Sequence, residues 1–420
     1  MNKKSVRLEE AYQDIYEQFA DEAAFLWLMR SIAVDQPHYT ARDVGELEQR
    51  LQAQLDGLMT APDIAWEICA RALELDGPGE TFAAAIIALQ TGQQQRIQLV
   101  VETGLASQAA FPGLVSAFGW LPADVSHPWI ERFLNSKELD HKYLALAICS
   151  IRRENPGAYL AKYLQRDDCI QHKALYIRAL RLIGELKRTD LIDAVTAAID
   201  ADDEDVAFWA SWSSVLLGNH AAINKLTPYV FTNGAHQSKA IDIVFRGLPV
   251  EQARDLIAKL AENPEQHRAV IKAVGVLGDP HAVDWLITRS RETAVSRLAG
   301  EAFTLITGIE LEQDALSQEA PEGYQPAPND EVDDDNVAMD EDENLPWPNT
   351  RAMGQAWNEQ RANFINGQRY LLGCPVNPGL PDVSASHIKQ RQRHALALEL
   401  ALRDVSCMLP NTRGKFMEST

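Results

Sequence analysis

Most of the features that usually carry chemistry are missing from this sequence, and the absences narrow the reading first. Only five cysteines (Cys69, Cys149, Cys169, Cys374, Cys407) occur in 420 residues. They are scattered, odd in number and form no CxxC, which excludes a disulfide framework or zinc ribbon and fits a reducing, cytoplasmic setting. Cys69 in AWEICARAL and Cys149 in LALAICSI lie inside apolar helical patterns, where a small buried hydrophobe is expected. The longest apolar runs, such as FAAAIIAL (Phe82 to Leu89), are too short to span a bilayer. The charged N-terminus, MNKKSVRLEEAYQDIYEQ, holds no signal-peptide core. There is no HExxH, GxSxG, Walker loop or GxGxxG, and His387 and His394 lie two turns apart without a third ligand. No catalytic residue, cofactor site or metal ligand is assigned, and a non-enzymatic role is expected.

Cations are also scarce where acids are dense. The net charge is −21, and between Leu298 and Thr350 fifteen Asp and Glu face no Lys or Arg. From Arg351 onward the balance reverses, with nine Lys or Arg against five Asp or Glu. An acidic body repels phosphate backbones, so no nucleic-acid or membrane partner is expected. A basic protein partner, or pairing of the acidic stretch with the basic tail, stays open.

What is present is helical periodicity. In HKALYIRALRLIGELKRTDLIDAVTAAID, Leu175, Ala179, Leu182, Ile183 and Leu186 form one apolar face, and Leu191, Val195 and Ala198 form another. Thr189 or Asp190 is placed to cap the second helix. The layout recurs with turn glycines at Gly184, Gly218, Gly247, Gly278 and Gly308, spaced 34, 29, 31 and 30 residues apart. Each glycine is expected in the left-handed turn that ends a first helix. Two amphipathic helices per thirty-odd residues predict an all-α, HEAT-like solenoid over residues 108–311. Residues 1–107 are expected to cap it. There ELEQRLQAQLDGLM forms a clear helix after Thr40, and GPGE turns into the helix holding FAAAIIAL.

After Leu311 the periodicity stops. Residues 312–345 are rich in Pro, Asp and Glu and read as an acidic, disordered tether. A calcium loop is disfavoured there, because neither alternating ligands nor the required Gly appears. Residues 346–420 read as a small helical module. TRAMGQAWNEQRANFINGQRYL is taken as one helix carrying Met353, Trp357, Phe364 and Tyr370, and SHIKQRQRHALALELALRDV as another. The second is basic in its first turn, against the helix dipole, so an acidic counterpart is expected, the tether being the nearest. Prolines on both sides of Trp347 make it an anchor, either for a partner or for the chain's own repeats. Trp209 and Trp212, one turn apart, read as inter-repeat packing, with a ligand-binding aromatic face as the alternative. The residues assigned to partner binding are Trp347, Arg351, Trp357, Arg369, Tyr370, Arg391 and Arg393.

Two ends of the chain carry a resemblance. EAAFLWLMR…DQPHYTARDVGELEQRLQAQLDGLM and GPGETFAAAIIAL near the start, with LPWPN…AMGQAW…FINGQRYLLG…RQRHALALELAL near the end, resemble an uncharacterised proteobacterial family of HEAT-like repeat proteins found beside type VI secretion genes. The resemblance implies a cytoplasmic adaptor or chaperone that helps load an effector toxin onto the secretion spike or tip. The alternative is an immunity protein neutralising a cognate basic toxin. No oligomeric state is assigned.

Overall fold

The computed structural model describes residues 3–324, 340–377 and 379–416, with side chains from residue 13 onward. Among them, 21 α-helices and four two-residue strands make the fold all-α. No helix among these residues is long and apolar enough to cross a membrane. The chain divides into two compact units, Met1–Ser213 with Met408–Thr420, and Ser214–Cys407.

The first unit holds α1 (Lys3–Ala33), α2 (Ala41–Leu58), α3 (Pro62–Ala72), α4 (Pro78–Thr91), α5 (Gln94–Ala106), α6 (Phe111–Trp120) and α7 (Ala123–Asn135). It continues with α8 (Leu139–Arg152), α9 (Ala158–Tyr163), α10 (Asp167–Gln171), α11 (Lys173–Glu185), α12 (Ile192–Ala197) and most of α13 (Glu204–Leu216). Thr40 starts α2 as the sequence indicates, in a capping box with Asp43 that satisfies two orphan amides. Gly77 and Pro78 start α4, whose FAAAIIAL run is entirely buried. Helices α4, α6, α8 and α11 pack in series, with α5 and α7 against α4 and α8. Trp27, Phe82 and Trp120 form the aromatic centre, at 5.8 and 5.6 Å. Cys69 and Cys149 are buried, and burial pushes both thiols up to about 12, which makes them inert.

The second unit holds α14 (Ile223–Val230), α15 (Gln237–Gly247), α16 (Val250–Leu260), α17 (His267–Leu277), α18 (Val283–Arg289), α19 (Ser296–Thr307), α20 (Thr350–Gln360) and α21 (Gln390–Arg403). Here α15, α17 and α19 pack in series, paired with α14, α16 and α18. Strand β1 (Ser317–Gln318) pairs antiparallel with β2 (Trp347–Pro348), and β3 (Tyr370–Leu371) with β4 (Cys374–Pro375). Met353 and Trp357 of α20 are buried in one cluster with Val283, Leu286, Phe303 and Ile306.

Several expectations are corrected. Of the five aligned glycines, Gly278 and Gly308 cap α17 and α19 with φ of 73° and 72°, and Gly218 follows α13 with φ of 94°. Gly184 and Gly247 instead lie in the last turns of α11 and α15. A side chain at 184 would stand 2.8 Å from the Cα of Ser213, so this glycine serves close helix approach, and Lys187 takes the left-handed turn with φ of 56°. Thr189 and Asp190 form a 3-10 turn without a side-chain cap, because Asp190 is engaged by Arg188 at 2.7 Å. The helix read from Thr350 to Leu371 ends at Gln360. Phe364 and Tyr370 lie beyond it, turned back on each other at 4.8 Å.

The 312–345 stretch is described at both ends. Residues 325–339, where most of the acidic run and the disfavoured calcium loop fall, lie outside the described residues. Leu316 and Leu345 are buried, and the carbonyl of Leu316 accepts from the Asn349 amide at 2.7 Å. In the sequence reading a boundary falls at 345/346. In the structure residues 346–407 belong to the second unit and 408–420 to the first.

Candidate functional site

The residues assigned to partner binding from sequence all lie in the second unit, and most are engaged there by the chain itself. The Trp347 ring lies under the guanidinium of Arg297, 4.5 Å away, and edge-on to Tyr324 at 4.7 Å. Arg297 also donates to Asp340 and, at 2.8 Å, to the Tyr324 hydroxyl. Next to it, Arg268 holds Asp342 through two bonds of 2.7 and 2.8 Å and Glu341 at 3.0 Å. Trp347 therefore docks on its own unit, as one of the two readings expects. Trp357 is buried in the core of that unit, with its ring 5.2 Å from Phe364.

Arg369 and Tyr370 begin a segment that crosses helix C-termini. The Arg369 guanidinium donates to the carbonyls of Leu277 (3.0 Å) and Arg246 (2.9 Å) and grips Glu399 at 2.6 and 3.0 Å. The amides of Tyr370, Leu372 and Gly373 donate to Gly278 (2.7 Å), Leu305 (2.6 Å) and Ile306 (3.1 Å). Carbonyls that helices leave orphaned at their C-termini are thus satisfied in sequence across α15, α17 and α19.

The basic start of α21 finds its acids close by. Lys389 pairs with Glu310 at 2.9 Å, and Arg391 with Glu301 at 3.2 Å. From the acidic run the Glu341 carbonyl lies 3.4 Å from Arg391. Arg393 donates to Val383 and Gln390. Arg351 alone stays exposed, without an ion pair among the described residues.

The end of the chain behaves in the same way within the first unit. The Leu409 amide donates to the backbone carbonyl of Glu185 at the end of α11 (2.9 Å), and Arg153 donates to the Leu409 carbonyl (2.7 Å). Arg30, held by Glu48 at 2.8 Å, donates to the carbonyls of Arg413 and Gly414 at 2.8 and 2.7 Å. Lys415 sits 4.3 Å above Trp120.

A second group lies in the first unit, of which sequence reasoning singled out Trp209 and Trp212 alone. On α6, α8, α11 and α13 a row of aromatic and arginine side chains runs from helix to helix. Phe111 and Tyr143 stack at 4.8 Å, with ring planes 8° apart. Tyr143 neighbours Arg178, whose guanidinium donates to the Ser150 hydroxyl at 3.3 Å. Ser150 donates to Glu185 at 2.5 Å, and Arg181 binds the other carboxylate oxygen at 2.9 Å. Arg181 then lies 4.6 Å over Trp209, which meets Trp212 edge-on at 5.4 Å. Phe111, Tyr143, Arg178, Arg181 and Trp209 are all half-buried, so the row has an accessible side.

Charge is unbalanced along this row. Arg153, Arg178 and Arg181 converge on one carboxylate, Glu185, which is fully buried. Burial pushes Glu185 upward, but Arg181, Arg153, Arg178 and the Ser150 hydroxyl outweigh it and hold the group below its usual range. Burial and the adjacent Arg181 lower Arg178, against the pull of Glu185. Arg178 makes no ion pair among the described residues, and its buried Nε has no hydrogen-bond partner. The available signal was the spacing Arg178, Arg181, Glu185 opposite the apolar face of α11, which reads as solvated surface until α8 and α13 are brought alongside.

Among the described residues no group of three or more His, Cys, Asp or Glu is placed to hold a metal ion. Comparison with family models, curated proteins and solved structures returns no match, so the reading of the site rests on its own geometry.

Proposed function

We propose that this chain is a non-catalytic, cytoplasmic protein-binding scaffold whose paired helices stack in a HEAT-like solenoid. The observation that carries the reading is the continuous row Phe111–Tyr143–Arg178–Arg181–Trp209 across four helices. Large aromatics and arginine are the residues that dominate protein interfaces, because they present much rigid area with few rotamers to freeze. Helices packed in series hold such side chains at fixed spacing, as repeat scaffolds do for an extended partner.

The partner proposed is a component of type VI effector delivery, either the effector or a spike or tip protein, and this part rests on the sequence resemblance alone. Co-purification of the full chain with candidate components, compared with Tyr143→Ala/Trp209→Ala, tests it. Retention of wild-type affinity by a correctly folded double variant would sink the row as the binding face. The net charge of −21 favours a second reading, an immunity protein for a basic toxin. That role requires the chain to rescue cells expressing the toxin, which an adaptor need not do.

A further inference from the structure

We infer that Arg178 and Arg181, beside the Phe111–Tyr143 stack, form a subsite for a carboxylate side chain of an acidic partner segment. The inference deepens the scaffold reading and rests on it. Three arginines around one buried carboxylate leave this place positive in a chain whose net charge is −21. Glu185 is already committed to Ser150, Arg153 and Arg181. Arg178 shares Glu185 with two nearer arginines and makes no ion pair of its own among the described residues, although it lies one turn from Arg181 and is half-buried. Placing two guanidinium groups side by side costs stability unless an anion joins them. An incoming carboxylate would accept from both in the planar, two-pronged geometry that guanidinium groups favour. The flanking rings of Phe111, Tyr143 and Trp209 give apolar surface for the rest of the segment.

The test uses the full chain and fluorescein-labelled hexaglutamate, read by anisotropy at low salt, with labelled hexaglutamine as the neutral control. Hexaglutamate is expected to bind and hexaglutamine not. Binding should weaken by about tenfold or more in Arg178→Gln and in Arg181→Gln, the effect of losing one charge-assisted contact. Arg96→Gln removes the same charge from the Arg96–Asp63 pair elsewhere in the first unit and should leave binding unchanged. Two arginine variants keep the test open if one fails to fold, which circular dichroism reports.

Equal binding by Arg178→Gln and Arg96→Gln would overturn the inference, and so would absence of hexaglutamate binding. Inorganic phosphate that binds at matched ionic strength while hexaglutamate does not would likewise overturn it, by assigning the place to a free anion. The scaffold reading fails separately. A native partner lost on Tyr143→Ala/Trp209→Ala but kept by the arginine variants leaves the scaffold standing and removes this subsite.

Discussion

Glu399 receives both ends of the Arg369 guanidinium, at 2.6 and 3.0 Å, in a place where the glutamate is 2% exposed. The same guanidinium reaches the carbonyls of Leu277 and Arg246, so one side chain ties α21 to the ends of α15 and α17. Among the described residues, Arg369→Ala leaves Glu399 with a long contact to Arg246, at 3.6 Å. The expected loss is about 3–5 kcal/mol of stability, the usual cost of breaking a buried pair. Arg369→Met/Glu399→Leu should lose clearly less, because no buried charge is stranded. Urea unfolding of the four proteins in the cycle measures both.

Gly278 and Gly354 are expected to respond to alanine in opposite directions. Gly278 has φ of 73°, and a Cβ there would collide with the carbonyl of Tyr370. Strain and clash together should cost more than about 2 kcal/mol and free the Arg369–Gly373 segment. Gly354 sits within α20 with open space around the new methyl. Gly354→Ala should gain about 0.5–1 kcal/mol from helix propensity. Thermal unfolding of the two single variants decides the signs.

Acid should weaken the first unit through Glu185. Its carboxylate is held below the ordinary value of 4.5, so the folded state binds the proton less readily than the unfolded one. The stabilisation is present above about pH 4.5 and is lost as the pH falls through the depressed folded value. Glu185→Gln should be less stable at pH 7, because Arg153, Arg178 and Arg181 then face no anion. Its stability should also fall less steeply than the wild type's below pH 4.5. Urea midpoints from pH 6 to pH 3 give the comparison.

Trp347→Ala removes the ring against which Arg297 and Tyr324 pack. The expected cost is about 2 kcal/mol, from one cation–π contact and the lost aromatic area. Pairing between Ser317–Gln318 and Trp347–Pro348 should loosen with it. Hydrogen exchange at the Asn349 amide, which donates to Leu316, is expected to speed up. Unchanged exchange there would show that the pairing does not need the indole.

Much of the helical plan was legible because its causes are local. The Thr40 capping box, the Gly77–Pro78 entry to α4, and the stripe Leu51, Leu55, Leu58 each follow from side chains within a few residues. The segment from Phe364 to Tyr370 misled for the same reason. Its aromatics have helical spacing, yet pairing of Tyr370 with the α17 terminus ends the helix at Gln360. Of the candidate site, the Trp209–Trp212 pair was legible and the rest was hidden. Phe111, Tyr143, Arg178 and Trp209 come from four helices, and no sequence interval relates them.

The sequence by itself determined the all-α class, the starts of α2 and α4, and the burial of Cys69 and Cys149, since hydrophobic periodicity and caps act over one or two turns. It could not say which aligned glycines serve turns and which serve contact. That depends on Ser213 standing against Gly184 and on Tyr370 against Gly278. Only the tertiary structure decided that Arg369, Lys389 and Arg391 are spent within the chain. Orphan carbonyls at helix ends and buried carboxylates such as Glu399 and Glu185 attract arginine from far along the sequence, and that attraction acts through space.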